Sequence, residues 1–371
     1  MRLTEREREV VALLRRDPLM SPAAMAEALG TTRAAVTVHL SNLGKKGVVR
    51  GRGYVLADEP SVVVVGGANM DVKARSDRAA VPATSNPGTG SMAAGGVGRN
   101  VAENLARLGT RTHLVAAIGS DGLGDQVLAA TSGAGVHVEH VRRSARTTGT
   151  YTAVLDADGE LVVAVADMAA TDELGPGAVD AARDLVTGAE LVVLDGNLAA
   201  DTLRYALDLA ASVGTRVVVE PVSVPKAERL APLLTPDRPV FAVTPTRDEL
   251  AAPPGLPTGT TREAERALGA LHDCGAELVW VRLGADGSVL SDRRPGHDPV
   301  TTRLPAVAAP EVADVTGAGD AMLAAFCHAL LTGAEPADAA AYGHAAAALT
   351  VASPHTVRPD LTDRLVRSLL A

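Results

Sequence analysis

Apolar residues fall along this chain in two textures. In the first, short runs without polar alternation are bounded by turn residues: Val62–Val65, His113–Ile118, Leu191–Leu194, Val217–Val219, Val240–Val243 and Leu278–Val281. Such runs suit strands buried on both faces, the situation of a parallel sheet covered by helices. Helix-period stretches lie between most of them, around residues 98–108, 122–133, 200–213 and 262–273. Strands alternating with helices predict an α/β domain whose mostly parallel sheet carries helices on both faces. The second texture is a pair of strand-like runs, Thr150–Asp156 and Leu161–Ala166, joined by Ala157-Asp158-Gly159-Glu160. An Asp-Gly turn between two such runs predicts a hairpin, placed to stand off the main sheet as a flap.

The first 57 residues follow a different pattern. Val10, Val11, Leu13 and Leu14 sit among charges in an amphipathic helix from Leu3 to Arg16. Ser21 and Pro22 open a second helix that ends at Gly30, and Thr31 or Thr32 caps a third that runs to about Leu43. That third helix exposes Arg33, Thr37, His39 and Asn42. A basic hairpin over Val48–Leu56, with Arg50 and Arg52 at its turn, follows. Three helices and a basic hairpin resemble a winged helix-turn-helix, which implies DNA binding with the third helix in the major groove. Charge sets this segment apart as well. Residues 1–57 hold ten Lys and Arg against five Asp and Glu, while the remainder holds 25 against 39. A small basic module thus precedes an acidic body at residues 61–371, joined near Ala57-Asp58-Glu59-Pro60. One such module makes few phosphate contacts, so a homodimer is expected.

Composition narrows the function classes. Aromatic residues are only 2% of the chain against 47% hydrophobic, so the core is built from Ala, Val and Leu. No apolar run approaches the roughly 18 residues of a membrane helix, and the charged N-terminus is unlike a signal peptide. Cys274 and Cys327 form neither a disulfide framework nor a metal-ligand spacing. These features predict a soluble, cytoplasmic protein.

Three strings carry candidate chemistry. In Asp314-Val-Thr-Gly317-Ala318-Gly319-Asp320, the glycines let backbone N–H groups turn toward one point as a helix begins. A small-residue turn at a helix N-terminus binds anions and suits a transferring phosphoryl group, with Asp320 beside it to accept a proton. In Gly95-Gly96-Val-Gly98-Arg99-Asn100, paired glycines allow close backbone approach and Asn100 offers both donor and acceptor. In Gly66-Gly67-Ala-Asn69-Met-Asp71, the side chains of Asn69 and Asp71 share one strand face, where a carboxylate suits vicinal hydroxyls.

Together, in this order, the strings resemble the ribokinase-like, or PfkB, family of carbohydrate and nucleoside kinases, over about residues 60–371. The resemblance implies Asp320 as catalytic base, Gly317, Ala318 and Gly319 as anion hole, and Asn69, Asp71, Gly95, Gly96 and Asn100 on the sugar. It implies ATP with Mg²⁺, a monovalent cation such as K⁺ near Asp314, and a β lid from about 72–95 and 150–168. Glu249 matches one half of an Asn-x-x-Glu pair that orders Mg²⁺ through water, with Thr246 in the Asn place. Arg282-Leu-Gly284-Ala-Asp-Gly287 matches a nucleotide segment Thr-x-Gly-x-x-Gly, with Arg282 in the Thr place, and His344 falls on the adenine-side helix. A finer likeness lies in Thr84-Ser85-Asn86-Pro87-Gly88, Ala166-Asp167-Met168 and Glu220-Pro221-Val222-Ser223, which resemble the pseudouridine kinase branch. That branch implies 5′-phosphorylation of pseudouridine, with Asn86 and Asp167 as candidate base readers. The alternatives are another nucleoside or ribose kinase, or a sugar- or nucleoside-sensing transcription regulator without turnover. The intact Asp320 and glycine turn argue against the last.

Overall fold

A computed structural model describes residues 3–49, 60–251, 258 and 260–370. The chain divides into two compact units, Met1–Glu59 and Pro60–Ala371. In the first, α1 (Glu5–Arg16), α2 (Pro22–Ala28) and α3 (Arg33–Lys45) enclose Val10, Leu14, Met25, Val36, Leu40 and Leu43. Each helix starts at a side-chain cap: Thr4 forms a capping box with Glu7, Ser21 accepts from the Ala24 N–H, and Thr32 accepts from the Ala35 N–H. The Lys46 ammonium lies 2.6 and 2.8 Å from the two oxygens of the buried Glu7 carboxylate, which ties the start of α1 to the end of α3. Arg33 and Thr37 are exposed on α3, with His39 and Asn42 partly so. Most of the expected basic hairpin, including Arg50 and Arg52, lies outside the described residues.

The second unit has two sheets. Its strands are β1 (Ser61–Val65), β2 (Asn69–Ser76), β3 (Gly88–Gly95), β4 (Arg111–Gly119), β5 (His137–Ser144), β6 (Thr150–Leu155), β7 (Leu161–Asp167), β8 (Leu191–Asp195), β9 (Arg216–Glu220), β10 (Val240–Val243), β11 (Ala276–Arg282), β12 (Ser288–Asp292) and β13 (Val300–Leu304). Nine of them form one sheet in the order β13-β12-β11-β10-β9-β8-β1-β4-β5, parallel except for the last two pairings, β11 with β12 and β12 with β13. The other four form a small sheet in the order β3-β2-β6-β7, in which β6 and β7 are the hairpin expected around the Asp-Gly turn.

Alternate residues of β1 feed opposite cores. Val62 and Val64 pack with α4 (Val97–Arg107) and two small-residue helices, while Val63 and Val65 pack with helices on the other face. Besides α4, the longer helices are α5 (Gly122–Gly133), α6 (Ala200–Val213), α7 (Thr261–Asp273), α8 (Ala318–Leu331) and α9 (Pro336–Val351). Helices α8 and α9 bring Ala324, Ala325, Ala345 and Ala346 together fully buried, so helix pairs replace the aromatic bulk the composition lacks. Among the described residues, no helix is long and apolar enough to cross a membrane.

The fold corrects one expectation, that His344 serves the adenine side. His344 is only 5% exposed and its Nε2 lies 2.7 Å from Ser288 Oγ, which accepts the Trp280 indole N–H at 2.9 Å. Trp280 stacks on Phe326 at a centroid distance of 4.6 Å and meets His344 edge-on at 6.1 Å. Burial lowers the imidazole pKa, so a neutral ring accepts the serine proton while the serine oxygen accepts from Trp280. His344 is therefore part of the core. Ser288→Ala should strand both the indole N–H and the imidazole nitrogen, at a cost of about 1–3 kcal/mol. Denaturant unfolding followed by the fluorescence of Trp280, the single tryptophan, measures it.

Candidate active site

The parallel strands β1, β8, β9, β10 and β11 end on one edge of the large sheet, where open α/β sheets bind ligands. Two of these strands end on buried acids and one on an arginine. Asp195 closes β8, and its Oδ2 accepts the N–H groups of Gly67 and Gly98 at 2.9 and 3.0 Å. It thereby clamps the turn after β1 to the start of α4. Glu220 closes β9 and accepts from Arg282 Nη2 at 2.5 Å and from Thr244 Oγ1 at 2.7 Å. Arg282 closes β11, lies 3.8 Å from Glu249, and keeps a buried Nε without a hydrogen-bond partner among the described residues.

Against this edge stands the N-terminus of α8. Gly317 caps it at φ 81°, and a Cβ there would lie 2.0 Å from the Thr356 carbonyl oxygen, so only glycine fits. Ala318, Gly319 and Asp320 form the first turn; the Ala318 N–H donates to the Val315 carbonyl at 3.3 Å, and those of Gly319 and Asp320 have no intrahelical acceptor, the arrangement that suits an anion. A Cβ on Gly319 would stand 3.0 Å from Arg282 Nη1, which brings the guanidinium against the same turn. Asp320 Oδ2 accepts from Asn100 Nδ2 at 2.9 Å. Burial pushes the Asp320 carboxyl up to about 7, helped by the negative fields of Glu220 and Asp195 and opposed by the Asn100 hydrogen bond and Arg282. A carboxylate poised near neutrality beside an anion site is equipped to take a proton from an attacking hydroxyl.

Residues expected on the sugar gather on and beside β2. Asn69 opens this strand, and its Nδ2 donates to Asp71 Oδ1 at 2.7 Å. Burial raises the Asp71 carboxyl, while Asn69, Lys73 and Arg99 act in the opposite direction. Gly95 pairs with Asn69 across the β2–β3 ladder, and a Cβ on it would sit 2.2 Å from Asp71 Oδ2. Gly96 caps α4, and Asn100 accepts from Arg99 Nη1 at 3.1 Å, so both ends of its amide are engaged. Asp71, Lys73, Arg99, His355 and Thr356 line a cavity of about 400 Å³.

Other expected residues divide. Glu249 accepts the Thr246 N–H at 2.8 Å with one oxygen and leaves the other without a hydrogen bond among the described residues, which fits a water-bound Mg²⁺. Gly284 and Gly287 bracket the turn after Arg282, where the Leu283 N–H donates to the Gly287 carbonyl. Asn86 is exposed, and its amide bonds to Val81 and Thr84 within its own loop: Nδ2 donates to both carbonyls, and Oδ1 accepts the Val81 N–H with one of its two lone pairs. Asp167 keeps one oxygen without a hydrogen bond among the described residues, the other accepting the Ala169 N–H at 3.2 Å. Its carbonyl and the Asn69 side chain both crowd Gly149, at 3.0 and 3.4 Å from where a Cβ would stand. Asp314 does not fit a monovalent cation. One oxygen accepts the Thr316 N–H and hydroxyl at 2.8 and 2.6 Å, and the other holds the Lys73 ammonium at 2.7 Å.

Sequence reasoning assigned no role to Asp195, Glu220 or Lys73. The first two had a signal, an unbroken apolar run ending on an acid; the third continued the Asn69, Asp71 alternation by one step.

Comparison with known proteins finds matches to both units. Residues 59–363 match the model of the pfkB family carbohydrate kinases, and residues 3–50 match a winged helix-turn-helix DNA-binding model. An uncharacterized sugar kinase of Escherichia coli, YeiI, is 34% identical over 361 residues, 97% of each chain. The pseudouridine kinase of the same organism is 30% identical over 85% of this chain and 98% of its own. Arabidopsis thaliana ribokinase, solved with ribose and ATP, superposes with a TM-score of 0.73 at 27% identity over 84% of this chain and 98% of its own.

Asp320 should titrate near pH 7 by carboxyl-resolved NMR, far above the ordinary aspartate value of about 4. The Asn100 amide favours the charged form, so Asn100→Ala should move the titration higher.

Proposed function

This chain belongs to the pfkB family of carbohydrate kinases, and from that membership we propose that it transfers the γ-phosphoryl group of ATP to the 5′-hydroxyl of pseudouridine. The observation that carries the phosphotransfer chemistry is Asp320, raised to about 7 at the mouth of the α8 anion site. The finer choice of substrate is supported by the pseudouridine kinase relative, which this chain matches over nearly that protein's whole length.

The steps follow from the side chains. Asp71, oriented by Asn69, accepts hydrogen bonds from the vicinal ribose hydroxyls and fixes the sugar ring. Asp320 takes the proton of the 5′-hydroxyl as that oxygen attacks in line. The first-turn N–H groups of α8 and the guanidinium of Arg282 stabilise charge on the transferring group, and Glu220 keeps that guanidinium in place. Glu249 would hold Mg²⁺ through water, and the ion supplies charge neutralisation on the donor phosphates. Gly284 and Gly287 give the nucleotide a close backbone approach. The small sheet β3-β2-β6-β7 acts as lid.

Base choice falls to Asp167. Pseudouridine exposes a ring N–H donor that uridine lacks, and Asp167, at the end of β7 with one carboxylate oxygen that has no hydrogen bond among the described residues, offers an acceptor for it. An acceptor left unpaired by uridine costs about 1–3 kcal/mol. The second reading, a sugar kinase of other specificity, is favoured by the YeiI relative.

We also infer that the first unit binds DNA through α3, with phosphate contacts from its basic residues. The exposed Leu161, Val162, Val163 and Val165 of β7 support a homodimer formed through the small sheet.

Pseudouridine should exceed uridine, and uridine free ribose, in kcat/KM at saturating ATP and Mg²⁺, and Asp167→Ala should erase the first difference. Equality of the three in the wild type would leave only the general kinase assignment. Asp320→Asn, similar in volume but unable to take a proton, should stay folded and lose about 10²–10⁴-fold in kcat. The wild-type rate should fall as pH drops below about 7, because protonation of Asp320 removes the base. DNA binding by the full chain, followed by fluorescence anisotropy, should weaken steeply with salt as phosphate contacts release counterions.

A further inference from the structure

The side chains of Asn69, Asp71 and Lys73 stand on one face of β2, one period apart. The first two serve the polyol. The third reaches out of the small sheet to the turn that precedes α8, where its ammonium lies 2.7 Å from Asp314 Oδ2 and 3.3 Å from Thr316 Oγ1. Asp314 in turn accepts the Thr316 N–H and hydroxyl with its other oxygen. Both carboxylate oxygens are thus occupied, and a positive charge already sits where a dissolved monovalent ion was expected. Thr316 leads directly into Gly317, whose backbone is pressed against Thr356, so whatever fixes Asp314–Thr316 fixes the N–H groups of the anion site. The charged and titratable groups sharing the cavity with Lys73 are Asp71, Arg99, Glu103, Arg107 and His355; Arg99 and Arg107 are paired with Glu103.

We propose that Lys73 is a positioning residue that does the work of a monovalent cation: its tethered ammonium holds the Asp314–Gly317 turn and couples it to the strand that binds the sugar. A tethered charge is present at an effective concentration set by its stem, independent of the ions in the medium. The pair is partly exposed, at 33% for the Lys73 side chain and 27% for that of Asp314, so its role is geometric more than stabilising. Because Asp71 lies two residues away, a sugar that orders β2 also orders the turn. This inference rests on the kinase reading above.

The test compares wild type, Lys73→Met and the double variant Lys73→Met/Asp314→Asn in K⁺, Na⁺ or tetramethylammonium as sole monovalent cation, at constant ionic strength. Wild-type kcat should be the same in all three. Lys73→Met should lose at least about tenfold in kcat in tetramethylammonium, with KM for the nucleoside little changed, and recover in K⁺. The double variant should not recover. A readout free of turnover accompanies this: hydrogen exchange of the Thr316–Asp320 amides should be fast in Lys73→Met, slowed by K⁺, and unaffected by K⁺ in the wild type. Wild-type activation by K⁺, wild-type exchange that K⁺ slows, or a Lys73→Met variant indifferent to the ion would each overturn the proposal. If no substrate is turned over but the exchange pattern holds, the kinase reading fails while the tethered-cation role stands.

Discussion

Three carboxylates, Asp195, Glu220 and Asp320, meet at one end of a single sheet, and one buried guanidinium, Arg282, stands among them. Removing carboxylates from water disfavours their charged forms, and each one ionised makes the next harder to ionise. The structure resolves this by giving each acid a separate task. Asp195 satisfies three backbone N–H groups, of Gly67, Gly98 and Asn197, and becomes a clamp; Glu220 is neutralised by Arg282; Asp320 receives a single amide hydrogen bond among the described residues and stays close to neutrality. Its readiness to take a proton is thus set first by burial and then adjusted by charges on other strands. Arg282 is the balancing charge, and it also faces the turn that would receive the phosphoryl group.

The surrounding core accommodates this arrangement with few aromatic side chains, the stacked Trp280 and Phe326 chief among them. Unbroken valine and leucine strands are buried on both faces, and alanine-rich helices approach one another closely enough to fill the space. Small side chains at the start of α8 let the anion turn lie flat against Arg282 and Thr356. The same economy of volume leaves room on the polyol side, where Gly95 gives way to the Asp71 carboxylate.

The parts legible in the sequence were those whose signal is local. The central strands and the hairpin of β6 and β7 stood out from runs and turn residues, and the Asp314–Asp320 string announced the glycine turn that opens α8 because all its members are contiguous. Strands β3, β5, β12 and β13 went unmarked, since they lie at or beside sheet edges and lack a continuous apolar run. Charges that meet across the fold were less visible: Glu220 and Arg282 are 62 positions apart, and neither carries a mark of its partner. His344 was misplaced for a related reason. Helix α9 is apolar almost all round, so periodicity does not tell which side faces a ligand and which faces Trp280. Asn86 sits in a segment whose turn residues announce a loop, and its amide ties that loop together across Val81 and Thr84.

Only Gly66, Gly67 and Ala68 separate the buried end of β1 from the start of β2. Gly96 alone likewise separates β3 from α4, so the small sheet is a lever that turns on two short small-residue pivots, both bolted to the body through Asp195, which holds the Gly67 and Gly98 N–H groups. Bending there has little freedom to spread into the large sheet. Force applied at the far end of the lever, by a molecule settling on β6 or β7, would be delivered to Asn69 and Asp71, the first residues beyond the β1–β2 pivot, with the shortest arm and the greatest mechanical advantage.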